Sequence, residues 1–232
     1  MTYTLKKKLA LILTLGSFSS AIIFVFILND GEYLKLSSTK EKDHGAVFVI
    51  RDSVPAYQRF FTAYFINDYL GRYYDDVVYE CQESQEGAPK HTMNQLQELL
   101  KKYEKVDILI MAHTNQYQRW LTNISPKLRS RIRLVYNSGC TNALQYKEWL
   151  GLGISAYVGH KGRVSLSPFF FMSFLRKWVN GKTLQFAVNS ANSLLPIQIA
   201  YFDHIVPKQY DVCFVNQTRA YMYGRGTTKI DL

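Results

Sequence analysis

The sequence predicts an α/β domain built on a mainly parallel six-stranded sheet with helices on both faces, preceded by one amino-terminal transmembrane helix. Three observations carry this. Short continuous apolar runs, such as residues 46–50, 106–112 and 134–136, alternate with longer amphipathic stretches. That is the pattern of buried parallel strands joined by crossover helices. An uncharged apolar run at residues 9–28 stands ahead of them all. With 232 residues, 47% of them hydrophobic, the chain has enough material for one domain with a substantial core.

Lys6, Lys7 and Lys8 close a short tail at residues 1–8, and the run at 9–28 follows directly. At ~1.5 Å per residue it is long enough to cross a hydrocarbon core of about 30 Å. The three lysines place the tail in the cytoplasm and the domain outside it, as a single-pass signal anchor. A cleaved signal peptide is the alternative, with Ser19-Ser20-Ala21 as its small-residue site. The apolar run, however, continues through Ile22 to Leu28. Residues 29–45 are polar, charged and without apolar periodicity, which marks a linker to a domain at 46–232.

Within the domain, the strand at 46–50 precedes an aromatic helix at 57–70, a strand at 76–79 and a helix at 93–103 with leucines at 96, 99 and 100. The apolar run 106–112 forms the next strand and stops at His113. A helix at 117–121 and a further turn at 126–131 lead to the strand at 134–136, which runs out through Asn137-Ser138-Gly139 to Cys140. A helix at 142–150, a strand at 154–158, helices at 169–179 and 184–194, and a last strand at 212–215 complete the series. No repeat and no low-complexity segment is visible.

The net charge of +10 suits an anionic membrane surface or an acidic partner. The domain has no basic run interleaved with aromatics, so nucleic acid is not an expected partner. Cys81, Cys140 and Cys213 are too few for a disulfide framework. In an exported domain Cys81 and Cys213 pair and leave Cys140 free; otherwise both are ordinary buried thiols. No Cys-x-x-Cys or His-Glu-x-x-His spacing is present, so neither a metal nor a cofactor is expected.

His113 and Cys140 carry the functional expectation. If their strands lie side by side, the imidazole and the thiol meet at the carboxyl edge of the sheet, where open α/β sheets place their sites. An imidazole beside a thiol yields a reactive thiolate. Gly139 supplies freedom for a sharp strand-to-helix turn, and a helix starting at Thr141-Asn142 aims its amides at the thiol. Asn137 is a polar strand residue able to orient a neighbour. Asp52, after the first strand, either edges the cleft or caps the helix at 57–70. His160, after Gly159, either lines a substrate pocket or is a solvated loop histidine.

These blocks resemble the signature of the caspase-like cysteine peptidases, the superfamily of gingipains, legumains, separases and CHAT domains. There an apolar block ends in His, here Ile108-Leu109-Ile110-Met111-Ala112-His113-Thr114. A second ends in a small residue and Cys, here Leu134-Val135-Tyr136-Asn137-Ser138-Gly139-Cys140. The similarity continues through Trp149-Leu150-Gly151-Leu152-Gly153-Ile154 and on to Tyr157-Val158-Gly159. It also takes in the segment from Phe174 to Leu184, with Ala187-Val188 and Ala191-Asn192. The resemblance covers residues 46–193 and is closest to the gingipain and CHAT types. It implies a caspase-like three-layer sandwich with Cys140 as nucleophile and His113 as general base and acid. It also implies an oxyanion hole made by the amides of Thr114 and Cys140. Two features depart from the family: Thr114 replaces the usual Gly, and the His-to-Cys connection is short. The expected activity is a membrane-anchored cysteine endopeptidase acting on peptide or protein substrates. The alternatives are an inactive caspase-like binding module and an unrelated doubly wound sensor domain.

Overall fold

The computed structural model describes residues 43–52, 54, 69–81, 90–205 and 213–230. The expected anchor at 9–28 and nearly all of the helix expected at 57–70 lie outside the described residues. No helix among the described residues is long and apolar enough to cross a membrane. The chain divides into two compact units, residues 1–39 with 196–211 and residues 40–195 with 212–232. The described part of the first unit is the end of one helix; the second contains the sheet.

The sheet has six strands: β1 (Asp43–Arg51), β2 (Tyr74–Cys81), β3 (Val106–Met111), β4 (Ile132–Asn137), β5 (Ala156–His160) and β6 (Ala220–Gly224). Their spatial order is β2-β1-β3-β4-β5-β6. The first five are parallel, and β6 runs antiparallel to β5. The helices are α1 (Lys90–Lys102), α2 (Pro126–Arg129), α3 (Tyr146–Gly151), α4 (Ser167–Val179), α5 (Leu184–Ile205) and α6 (Phe214–Thr218). Short 3-10 turns occupy Leu70–Arg72, Tyr117–Asn123 and Asn142–Gln145.

The central strands are apolar throughout because both of their faces are covered. Every residue of β3, β4 and β5 is buried. On one face, Phe48, Ile50, Ile108, Ile110 and Val135 pack with Leu96, Leu99 and Leu100 of α1, Trp120 of the turn after β3, and Trp149 of α3. Burying each of the three leucines contributes about 2 kcal/mol. On the other face, the Tyr136 ring stacks on Phe170, Phe171 and Phe174 of α4 at 5.5–5.9 Å between centroids.

The same face holds a buried ion pair. Arg133 grips Asp107 through two parallel bonds, Nε to Oδ1 at 2.9 Å and a terminal guanidinium nitrogen to Oδ2 at 2.8 Å. Tyr74 and Trp178 also donate to Asp107 Oδ2, at 2.6 and 2.8 Å. The guanidinium lies 5.3 Å from the Trp178 ring. One carboxylate thereby ties β2, β3, β4 and α4 together. Burial, followed by the Asp107 charge, holds the Tyr74 hydroxyl protonated far above its ordinary range.

The last strand corrects the sequence expectation. Residues 214–218 form α6, and the sixth strand begins at Ala220. The α6 segment is fixed by loop contacts rather than a ladder: the Thr218 hydroxyl accepts the Leu166 N–H at 3.0 Å, and its carbonyl bonds the His160 ring. Asn192 of α5 pins the start of β6 by bonding both the N–H and the C=O of Ala220. At the other end, β1 reaches back to Asp43, into the stretch read as linker.

Replacing Asp107 by Ala strands the Arg133 charge in the interior. We expect Asp107→Ala to lose about 3–5 kcal/mol of stability in urea denaturation. A loss below about 1 kcal/mol would show that the pair carries no such charge.

Candidate active site

Register sets the geometry of the carboxyl edge. β3 and β4 are neighbours, paired Asp107↔Leu134 through Ile110↔Asn137. His113 and Cys140 both follow the last paired residues of their strands, Ile110 and Asn137, beyond the ladder itself. Ser138 prolongs the ladder: its N–H donates to the Ile110 carbonyl at 2.8 Å, and its hydroxyl accepts the Ala112 N–H at 3.1 Å. The two sequence-predicted residues therefore lie at one sheet edge, with His113 exposed and Cys140 half-buried.

The backbone around His113 is held on both sides. Asp52, 3% exposed at the end of β1, accepts the His113 N–H at 3.0 Å, and its own N–H bonds the Met111 carbonyl at 3.2 Å. Asn115 donates to the His113 carbonyl at 2.8 Å. Asp52 thus fixes the His113 main chain, and the helix it was expected to cap lies outside the described residues. Burial, and then the nearby Asp52 charge, raise the Tyr117 hydroxyl far above its ordinary pKa.

Beneath the edge lies a buried set of side-chain amides. Asn137 Oδ1 accepts from Asn115 Nδ2 at 3.0 Å, from Asn142 Nδ2 at 2.9 Å and from the Gly139 N–H at 3.2 Å. Its Nδ2 donates to Asn115 Oδ1 at 3.1 Å. Gln145 extends the set by donating to the Asn115 carbonyl and to Asn142 Oδ1. The loop carrying His113 and the turn carrying Cys140 are fastened to one side chain at the end of β4. The sequence marked Asn137 as a polar strand residue and Asn142 only as part of a helix start; Asn115 and Gln145 gave no signal, because amides scattered over two loops have no period.

The turn at Cys140 differs from expectation in two ways. Gly139 is not the residue in the left-handed region; Thr141 is, at φ 62°. Gly139 is required by contact instead: a Cβ there would collide with the His113 carbonyl and the Asn142 side-chain amide. The expected helix start is a 3-10 turn, Asn142–Gln145, and α3 begins only at Tyr146. The Thr141 N–H bonds the Gly162 carbonyl at 2.9 Å, and its hydroxyl bonds the Cys140 carbonyl at 2.6 Å.

Of the two amides expected to hold an oxyanion, the Cys140 N–H has no hydrogen-bond acceptor among the described residues. Thr114 reaches across through its side chain, its hydroxyl donating to the Cys140 carbonyl at 2.8 Å. Among the described residues, no hydrogen bond joins the His113 ring to the Cys140 thiol. Cys81, Cys140 and Cys213 are all free thiols, and Cys81 and Cys213 are exposed rather than buried. The described residues contain no cluster able to hold a metal ion.

His160 is neither a solvated loop residue nor open to a pocket. It is the last residue of β5 and 0% exposed. Nδ1 lies 2.7 Å from the Thr218 carbonyl, so it carries the proton, and Nε2 accepts from the Tyr136 hydroxyl at 3.0 Å. Burial lowers its pKa from the ordinary 6.5 to about 4, against the two backbone bonds that raise it. The unfolded chain therefore takes up this proton first. The contribution to stability is complete above pH 6.5 and is lost as the pH falls through about 4.

Compared with protein-family models and with curated proteins, the chain matches none.

Two outcomes follow from this geometry. Unfolding free energy should fall by about 3 kcal/mol between pH 7 and pH 4 on account of His160. His160→Gln, which does not titrate, should flatten that part of the profile; identical slopes would remove His160 as the cause. Asn137→Ala leaves several buried donors without an acceptor and should cost about 2–3 kcal/mol, read from urea midpoints.

Proposed function

We propose that the chain is a membrane-anchored cysteine endopeptidase of the caspase-like kind, with a three-layer sandwich as its catalytic domain. The observation that supports this reading is that β3 and β4 are neighbouring parallel strands, and His113 and Cys140 follow them at the same edge of the sheet. Adjacent parallel strands run about 4.8 Å apart, so the loops that leave the same end of such a pair can bring an imidazole and a thiol together. The bond between such groups is often long without substrate and tightens when substrate binds.

In this reading His113 takes the proton from Cys140 Sγ, and the thiolate attacks the scissile carbonyl. The carbonyl oxygen gains charge beside the Cys140 N–H, which has no acceptor among the described residues, with the Thr114 N–H as the second donor. Collapse of the tetrahedral adduct breaks the C–N bond, and His113 returns the proton to the leaving amine. Water, deprotonated by His113, then hydrolyses the thioester and releases Cys140. Asp52 acts on the His113 backbone and Asn137 on both loops; neither touches the reacting atoms.

The apolar run at 9–28 behind Lys6, Lys7 and Lys8 supports a cytoplasmic tail and a domain on the outer side of the membrane. The partners in this reading are peptide or protein substrates and the membrane, with no nucleic acid and no cofactor. One observation favours an inactive caspase-like binding module. The Thr114 side chain is tied to the Cys140 carbonyl, at the very position where the family carries Gly.

Iodoacetamide should alkylate Cys140 rapidly near neutral pH and at least roughly tenfold more slowly in His113→Ala, because the thiolate fraction sets the rate. Cleavage of peptides, and labelling by an electrophilic peptide probe, should disappear in Cys140→Ala while the fold remains. Equal alkylation of wild type and His113→Ala would remove the dyad; rapid alkylation without any peptide cleavage would support the binding module.

A further inference from the structure

We propose that the outer face of α5, with the cations at its amino end, rests on an anionic lipid bilayer and so sets how the domain is held at the membrane. The inference does not involve Cys140, and it rests on the anchored reading only for the nearness of a bilayer. From Thr183 to Phe202 the chain carries no charged residue, although its net charge is +10. A helix face that meets water is ordinarily charged. The exposed positions of α5 instead include Gln185, Phe186, Asn189, Ser193, Pro196 and Ile197. Phe186 is 51% exposed and Ile197 55%.

Cations gather where this helix begins. The loop after β6 is bonded to its first residues: the Thr228 carbonyl accepts the Leu184 N–H at 2.8 Å, and the Gly226 carbonyl accepts the Gln185 N–H at 3.0 Å. Arg225 and Lys229 are the sequence neighbours of these two acceptors, and Lys182 closely precedes Leu184. The Arg225 N–H is itself bonded to the Ser155 carbonyl at 3.0 Å, which ties the loop to the start of β5. All three cations are exposed, and none forms an ion pair among the described residues. The first amides of α5 are already taken, since the Phe186 N–H bonds the Thr183 hydroxyl at 3.3 Å. Open cations beside satisfied amides match a plane of anionic headgroups rather than one seated phosphate.

Charge orders the sheet in the same sense. Residues 149–202 and 213–230, which supply β5, α4, most of α5, α6 and β6, contain no Asp or Glu. Asp75, Asp76, Glu80 and Glu98 lie on β2 and α1, and β2 is the edge strand opposite β6. An anionic surface therefore attracts the β6 edge and repels the β2 edge. An exposed Phe beside the cations favours a bilayer over an acidic protein, because the acyl boundary takes the ring while the headgroups meet the charges. Residues 196–205, the far end of α5, belong to the compact unit that contains residues 1–39. The helix thus leads from the sheet into the unit that holds the expected anchor.

The test puts the full chain carrying Phe186→Trp into vesicles of phosphatidylcholine, alone or mixed with phosphatidylglycerol, with brominated acyl chains as the quencher. Trp120, Trp149 and Trp178 are buried, so the unsubstituted chain supplies the background. Quenching of the added tryptophan should be at least roughly threefold greater on the anionic vesicles. It should fall to the neutral level in Lys182→Glu/Arg225→Glu/Lys229→Glu, and also in high salt, which needs no further substitution. Flotation with the neutral vesicles reports the anchor separately. Flotation with equal quenching on both vesicles, or with none on either, would overturn the inference and leave the anchor reading intact. Loss of flotation on neutral vesicles, with salt-sensitive quenching on anionic ones, would overturn the anchor and support the surface. Salt-sensitive retention on polyglutamate without quenching would assign the face to an acidic polypeptide and overturn the inference.

Discussion

The Asp107 carboxylate is the constraint on which the sheet depends. A buried ion pair contributes little against a well-packed apolar pair, since two charges must first be desolvated. Its effect falls on the alternatives. Sliding β3 along β4 would leave Asp107 and Arg133 apart in a dry interior, a cost of several kcal/mol that no apolar pairing incurs. Strands made only of Val, Ile and Leu would tolerate such a slip far better. The pair sits at the start of β3 with Tyr74 and Trp178 closing over it. Fixing register at this end fixes which residues face each other at the other end, where Ile110 pairs with Asn137 just before the loops that carry His113 and Cys140.

The two edges use different chemistry for the same purpose. At the amino edge a full charge specifies the pairing, and three elements surround it. At the carboxyl edge the fastening consists of neutral amides, Asn115, Asn137, Asn142 and Gln145. Amides lock two loops together without placing a fixed charge beneath the thiol. A carboxylate in place of Asn137 would raise the cost of a thiolate above it; a guanidinium would lower it permanently. A neutral anchor adds no charge of its own at that edge.

The sheet was legible because burial on both faces writes strands as apolar runs, and the four interior strands appear that way; β2, half-buried at the other edge, showed only its Val77-Val78-Tyr79 centre. The sixth was not, because β6 is an edge strand whose middle residues are half-buried, and Ala-Tyr-Met-Tyr-Gly carries no continuous apolar signal. His113 and Cys140 were legible as the first chemically useful side chains after two such runs. Asp107 and Arg133 lie inside the same runs, but a charge within an apolar stretch does not announce its partner. His160 was misread because a histidine following Gly159 looks like the start of a loop, whereas the strand continues through it. Asp52 was visible as a residue near the cleft, but its bond to the His113 amide depends on tertiary register alone.

The turn after β4 bears most directly on what can stabilise a thiolate. A helix beginning immediately after Cys140 would have offered several aligned amides. Here Thr141 takes a left-handed conformation, which is strained for a β-branched residue and costs about 1–3 kcal/mol. The Gly162 carbonyl and the Cys140 carbonyl hold it there, through its N–H and its hydroxyl. The strain interrupts the path from strand to helix, and only a 3-10 turn follows before α3. Helix-dipole stabilisation at the thiol is therefore small, since that effect fades within the first turn of a regular helix. What the turn supplies instead is a single amide, the Cys140 N–H, which has no acceptor among the described residues.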